Sequence, residues 1–229
     1  MASNGTENGF FTTMEDRVAR FVLRGSDQEG WRVLKTGEQA LPSTSTPATH
    51  QQNDHLVGLT ALDDGTVVAG SGRGVLMAVR LDDQGGFLLQ DAFTVQEHTP
   101  SGLPARVSNS LSSQGQAVFV VTHRVLLRVD LDPATRRFTL KWAQQYHDRD
   151  MPWYIGRLGA GSGSTPSVTV CEGRSLVVIT DGALPMSLLW YDAATGAVVG
   201  RRAVQFGAEE GGNAPTTSEQ SVAVAGVCV

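Results

Sequence analysis

Three short apolar runs recur along this chain at a spacing that points to a repeat architecture. GTVVAG starts at Gly65, QAVFVVT at Gln116 and SLVVIT at Ser175, so successive starts lie 51 and 59 residues apart. Each run is followed by a turn and a further run: VLMAVRLD, VLLRVDLD and SLLWYDA. A second turn then leads to GFLLQDAF, RFTLKWAQQY and AVVGRRAV, and an earlier run (HLVGLTAL, VSNSLSS or PSVTVCE) opens each set. In LLRVDLD, Leu127, Val129 and Leu131 fall on one face and Arg128 and Asp130 on the other, the period of two expected of a strand. The connecting DDQGG, DPATRR and DAATG place Asp, Pro and Gly where tight hairpins need them. No stretch carries a sustained helical stripe.

Four strands recurring at this period predict an all-β chain, a β-propeller of about four four-stranded antiparallel blades, rather than a sandwich. The blades are expected at approximately 9–36, 53–94, 106–146 and 164–204, within a single domain spanning residues 1–229. The first set is incomplete: NGFFTTM, RVARFVL and GWRVLKT read as the second, third and fourth strands of a blade. Residues 216–229, TTSEQSVAVAGVCV, read as an extra or closing strand. They would either complete the first blade in a closed four-bladed ring or mark the chain as a fragment of a larger ring. The fragment is favoured, since four blades is the small end of the propeller range.

The best-formed set runs from Ser164 to Val204 and carries Tyr191, Asp192, Thr195 and Gly196. It resembles the repeats of quinoprotein-like (pyrroloquinoline quinone repeat) propellers, whose pattern is apolar-Tyr-x-x-Asp-x-x-Thr-Gly-x-apolar-x-Trp. The preceding set retains Asp132, Thr135 and Trp142 but has Arg136 where glycine is usual. Gly200 stands where the last set would place its tryptophan, and Trp31 in GWRVL occupies a comparable place in the first set. The resemblance implies that Trp142 and Trp31 dock neighbouring blades. Quinoprotein dehydrogenases of this kind bind pyrroloquinoline quinone and calcium on the ring axis. This chain has neither a vicinal cysteine pair nor a C-x-x-C-H sequence, so the family's catalytic residues cannot be placed and the sequence supports no cofactor.

The net charge of −5 provides no electrostatic reason to expect nucleic acid or an anionic membrane as partner. No apolar run is long enough to span a bilayer, and MASNGTENGF has neither the basic nor the apolar region of a secretory signal, so a soluble protein is expected, with the cytoplasm as one compartment open to it. Cys171 and Cys228 both lie in apolar segments and read as small buried hydrophobes.

Propeller ligands sit where the first strands converge, so the polar residues at the entries to those strands are the site candidates. They are Asn53 and His55 (with Asp54 between them), Ser108 and Asn109, Ser164 and Thr165, and Glu219 and Gln220. A second ring follows the second strands, where His123 and Asp181 hold similar repeat positions after Ser71 and would approach each other across adjacent blades. A histidine oriented by a carboxylate has the chemistry of a base or metal ligand, although the histidines show no ligand spacing. GRLGAGSGSTP, residues 156–166, lacks the lysine of a phosphate loop and reads as a flexible connector, while Trp153 and Tyr154 offer a contact surface in the loop at 147–157. These features favour a binding or interaction scaffold for a protein or a small molecule, more than an enzyme. The rivals are an axial-metal enzyme of dehydrogenase-like or lactone-hydrolase-like type, and a truncated fragment without independent function.

Overall fold

The computed structural model describes residues 9–42, 54–95, 106–146, 161–204 and 218–224. The first sheet consists of β1 (Gly9–Met14), β2 (Arg17–Ser26) and β3 (Gly30–Ala40). The second is β4 (Leu56–Ala61), β5 (Val67–Ser71), β6 (Val75–Leu81) and β7 (Phe87–Thr94). The third is β8 (Ser112–Gln114), β9 (Ala117–Val121), β10 (Val125–Leu131) and β11 (Phe138–Gln145), preceded by a single bridge between Val107 and Thr122. The fourth is β12 (Ser167–Cys171), β13 (Arg174–Thr180), β14 (Ser187–Asp192) and β15 (Val198–Ala203). In every sheet the strands follow chain order and pair antiparallel, and the described residues contain no α-helix. Cys171 is half-buried rather than in the core, and Cys228 lies outside the described residues.

A shared irregularity aligns the four sheets. Between the last two strands of each, the register shifts by one residue, at Arg20/Phe21, Ala78/Val79, Arg128/Val129 and Trp190/Tyr191. Such a bulge bends the strand and re-aims the side chains beside it. The residue just past the shift on the outermost strand is Gly37, Asp91, Trp142 or Gly200. With β2 matched to β6, β10 and β14, β1 corresponds to β5, β9 and β13. Among the described residues, the first sheet therefore holds a second, third and fourth strand.

Strands with both faces covered are mostly apolar: β5, apart from Ser71, and β9 carry no polar side chain, and both are buried at every position. Each space between neighbouring sheets holds its own core. Val18, Leu56, Ala69 and Met77 fill the first, Val68, Leu76, Val120 and Leu127 the second, and Phe119, Leu126, Ile179 and Tyr191 the third. Burial, with the Asp181 carboxylate nearby, pushes the Tyr191 phenol up to about 12.

The bulge position is where each sheet meets the turn of the next. Trp142 is 8% exposed and its Nε1 donates to the Ala193 carbonyl at 3.1 Å. Arg128 donates to the same oxygen at 2.9 Å. In the preceding sheet Asp91 takes this place, accepting from Arg137 at 2.9 Å and from the Phe138 amide at 2.7 Å. In the first sheet it is Gly37, and the ring of Phe87 from the next sheet closes over it. Trp31 does not dock neighbouring sheets. It sits at the tip of the β2–β3 hairpin, 56% exposed, with its indole N–H on Asp27 at 3.0 Å. The bulge makes Gly37, not Trp31, the counterpart of Trp142.

In the second, third and fourth sheets the turn before the outermost strand is closed by an aspartate. Asp82, Asp132 and Asp192 each accept backbone N–H groups two residues on and beyond, at 2.7–3.1 Å. The residue completing each turn has positive φ: Gly85 at 80°, Arg136 at 58° and Gly196 at 74°. Arg136 occupies a conformation that favours glycine, and its guanidinium pairs with Asp64 of the preceding sheet. The Asp192 carboxylate is held down at about 2 by Arg174, then by the Thr195 hydroxyl and amide.

Candidate functional site

Between the inner ends of the second, third and fourth sheets lies a cleft of about 750 Å³. Its rim repeats one backbone arrangement. The Gly72 amide donates to the His55 carbonyl at 2.9 Å, and the His123 amide donates to the Arg106 carbonyl at 3.1 Å. His55 and Arg106 therefore share one repeat position, and Gly72 and His123 share another. The Val107 amide ties the two sheets together through the Gly72 carbonyl at 3.1 Å. Asp54 braces the turn beside it by accepting from the Arg73 amide at 3.1 Å.

The far wall is residues 161–164. Gly161, at φ +93°, lies so close to His123 that a β-carbon would come within 2.6 Å of its backbone. Gly163, at φ +67°, would place one 2.7 Å from Cβ of Glu219, and its carbonyl accepts from the Asn109 side chain. These two glycines let the segment run against both neighbours, in a backbone conformation that side chains rarely adopt. The expected flexible connector is thus, over its described part, a packed wall. Within it Ser162 and Ser164 are fully buried, their hydroxyls 2.6 Å apart, with the Thr180 amide on Ser164 at 3.3 Å. Tyr146 completes this layer, accepting from the Ser162 amide at 3.0 Å and donating to the Thr122 carbonyl.

Of the candidates named from sequence, His55, Ser108, Asn109, Glu219, Gln220 and His123 all line this cleft. Ser164 belongs to the wall but is fully buried and does not line the cleft, and the Thr165 amide donates to Ser221 at 3.0 Å. Asn53, Trp153 and Tyr154 lie outside the described residues.

Asp181 is not a partner for His123 on the cleft. It is fully buried, accepts from the Ser187 and Ala183 amides at 2.7 and 3.2 Å, and pairs with Arg201 at 3.1 Å. Ser71 and Thr122 perform the same task, each accepting from the first amide of the next strand at 3.0 Å. Asp181 therefore matches Thr122, one residue before His123. The 59-residue spacing between the runs at Gln116 and Ser175 already sets Asp181 against Thr122, so placing Asp181 with His123 is one residue out of register.

Arg73 and Arg106 also line the cleft, and sequence reasoning missed both. The signal was present for Arg106, which directly precedes the opening run of its repeat as His55 precedes Leu56. The lining balances Arg73 and Arg106 against Asp54 and Glu219, with the amides of Asn109 and Gln220 between them. Such a surface pairs with donors, acceptors and charges of either sign. Among the described residues, no group of three or more His, Cys, Asp or Glu is placed to hold a metal ion. Nor is any described helix long and apolar enough to cross a membrane.

No protein-family model matches the chain. An uncharacterized protein of Archaeoglobus fulgidus is 30% identical over 181 residues, covering 77% of this chain and 32% of that protein. Among solved structures, BamB from Moraxella catarrhalis matches with a TM-score of 0.50 at 17% identity, covering 88% of this chain and 51% of its own. Sqt1 from Saccharomyces cerevisiae matches with a TM-score of 0.57 at 8% identity, covering 86% and 45%. A Lactobacillus plantarum protein matches with a TM-score of 0.50 at 12% identity, covering 83% and 55%. BamB and Sqt1 are β-propellers, and the sheets described here are likewise antiparallel with strands in chain order. The fold is a β-propeller. The chain spans about half the length of these solved chains and a third of the archaeal relative.

Proposed function

We propose that this propeller is a binding scaffold of the quinoprotein-like repeat type, and that its cleft takes a polar segment of a protein partner. The observation that carries the reading is the paired-charge lining, with Arg73 and Arg106 facing the same space as Asp54 and Glu219. A peptide brings backbone donors and acceptors together with side chains of both signs, which such a lining can match group by group. His55 and His123 add ring nitrogens that donate or accept. The repeat type is supported by Asp192, Thr195 and Gly196 in their turn and by Trp142 packed on the turn of the next blade.

Selection of a phage-displayed peptide library on the immobilised protein tests this, followed by anisotropy titration of the recovered peptides. Peptides that bind the native chain and lose at least about tenfold in affinity to the Arg106→Glu variant are the expected result. Failure to recover any peptide, or recovery of peptides indifferent to Arg106→Glu and Glu219→Lys alike, would sink the cleft as the binding surface.

A further inference from the structure

We propose that the cleft selects its partner by an acidic residue, an Asp or Glu side chain clamped between Arg73 and Arg106. The inference rests on the reading of the cleft as a peptide site and names the anchor that such a peptide must carry. Both arginines are placed by one inter-sheet hydrogen bond, that of the Val107 amide on the Gly72 carbonyl at 3.1 Å. Arg106 directly precedes the donor and Arg73 directly follows the acceptor, so the two flank one bond across the joint. Both line the cleft.

This joint differs from the one before it. The first and second sheets meet through the same bond, the Leu56 amide on the Glu15 carbonyl at 2.6 Å, and there the flanking residues are His55 and Asp16. Only a like-charged pair needs an outside counter-ion. Among the described residues, neither the Arg73 nor the Arg106 guanidinium has a hydrogen-bond or ion-pair partner. At the blade joints elsewhere Arg136 pairs with Asp64 and Arg137 with Asp91. Asp54, on the same lining, accepts from the Arg73 amide at 3.1 Å and from no guanidinium.

Two like charges held side by side repel, and a carboxylate between them replaces the repulsion with charge-assisted hydrogen bonds. The planar fork of each guanidinium matches a carboxylate in shape. Charge selects the class of anion. Two guanidiniums and Asp54 leave one positive charge at this end of the cleft, which a single carboxylate cancels. A phosphorylated residue brings close to two negative charges and would leave this end negative beside Asp54.

Arginine side-chain ¹H–¹⁵N spectra of the full chain, titrated with N-acetylglutamate α-amide, are the first test. The Nε–H signals of Arg73 and Arg106, assigned with Arg73→Gln and Arg106→Gln, should move with this probe and stay fixed with N-acetylglutamine α-amide. Both variants should fold as the parent does, because neither guanidinium holds a partner in the free chain. The second test uses capped random heptapeptide pools whose central residue is Glu, Gln or phosphoserine. The Glu pool should bind at least about tenfold more tightly than the Gln pool, and that preference should vanish when both arginines are Gln. Equal binding of the Glu and Gln pools, or guanidinium signals indifferent to the carboxylate probe, would overturn the clamp and leave the cleft a peptide site. A stronger phosphoserine pool would overturn the choice of carboxylate, and a Glu preference that survives the double substitution would put the anchor elsewhere. Signals that move while no pool binds would support the carboxylate site and sink the peptide reading alone.

Discussion

The indole of Trp142 lies directly on the backbone of Gly196 in the next blade, so that a β-carbon on Gly196 would come within 2.7 Å of the ring. Two requirements meet at this glycine. Its φ of +74° closes the turn begun by Asp192, and its bare Cα gives the tryptophan a floor.

The two requirements separate on substitution. Gly30 has a similar φ of +79° with nothing near its Cα, so Gly30→Ala should cost about 1 kcal/mol for the backbone alone. Gly196→Ala should cost about 2–4 kcal/mol, because the ring must also move. Urea titration of both variants measures the difference, and equal losses would mean that the indole is not held against the turn.

Trp142 and Trp31 should behave as opposites. Trp142→Ala empties a buried inter-blade site and should cost about 3–5 kcal/mol. Trp31→Ala at the exposed hairpin tip should stay within about 0.5 kcal/mol of the parent. A large loss at Trp31 in the same denaturation series would restore it as a docking residue.

Asp192 should make stability fall in acid. Its folded pKa, about 2, lies below the roughly 3.9 of an unfolded aspartate, so its contribution is complete above about pH 4 and lost as pH falls toward 2. Asp192→Asn should therefore be less stable than the parent at pH 7, and the gap should narrow through that window. Chemical denaturation at pH 7, 4 and 2 reads this directly. A gap independent of pH would show that the ionised carboxylate is not what stabilises the turn.

Asp181 and His123 should act independently. Asp181→Ala leaves two buried amides and Arg201 without their acceptor, for a loss of about 3 kcal/mol. In a double-mutant cycle with His123→Ala, the coupling should be below about 0.5 kcal/mol. A larger coupling would bring the two back together as a dyad.

Much of the architecture was legible because it is written locally. The alternation in β10 and the Asp-led turns at 82, 132 and 192 act within a few residues, and they yield the same strands in the chain as in the fold. The cleft was legible in part. His55, Ser108, Asn109, Glu219 and Gln220 stood out as polar residues near the entries to the inner strands, and the structure gathers them on one lining. Arg73 was not visible, because nothing along the chain says which residues of a turn lean back over the axis.

What the sequence determined by itself is the repeat: strand lengths, turn chemistry and strand order. What only the tertiary structure decided is which residue of each repeat meets its neighbour. A one-residue bulge selects Gly37 over Trp31 and keeps Trp142 at the joint. Asp181 holds the amide of Ser187 as Ser71 and Thr122 hold those of their own next strands, which buries all three away from the cleft. Packing between blades depends on side-chain direction, and each added residue in a strand or turn changes that direction without leaving a mark in the apolar pattern.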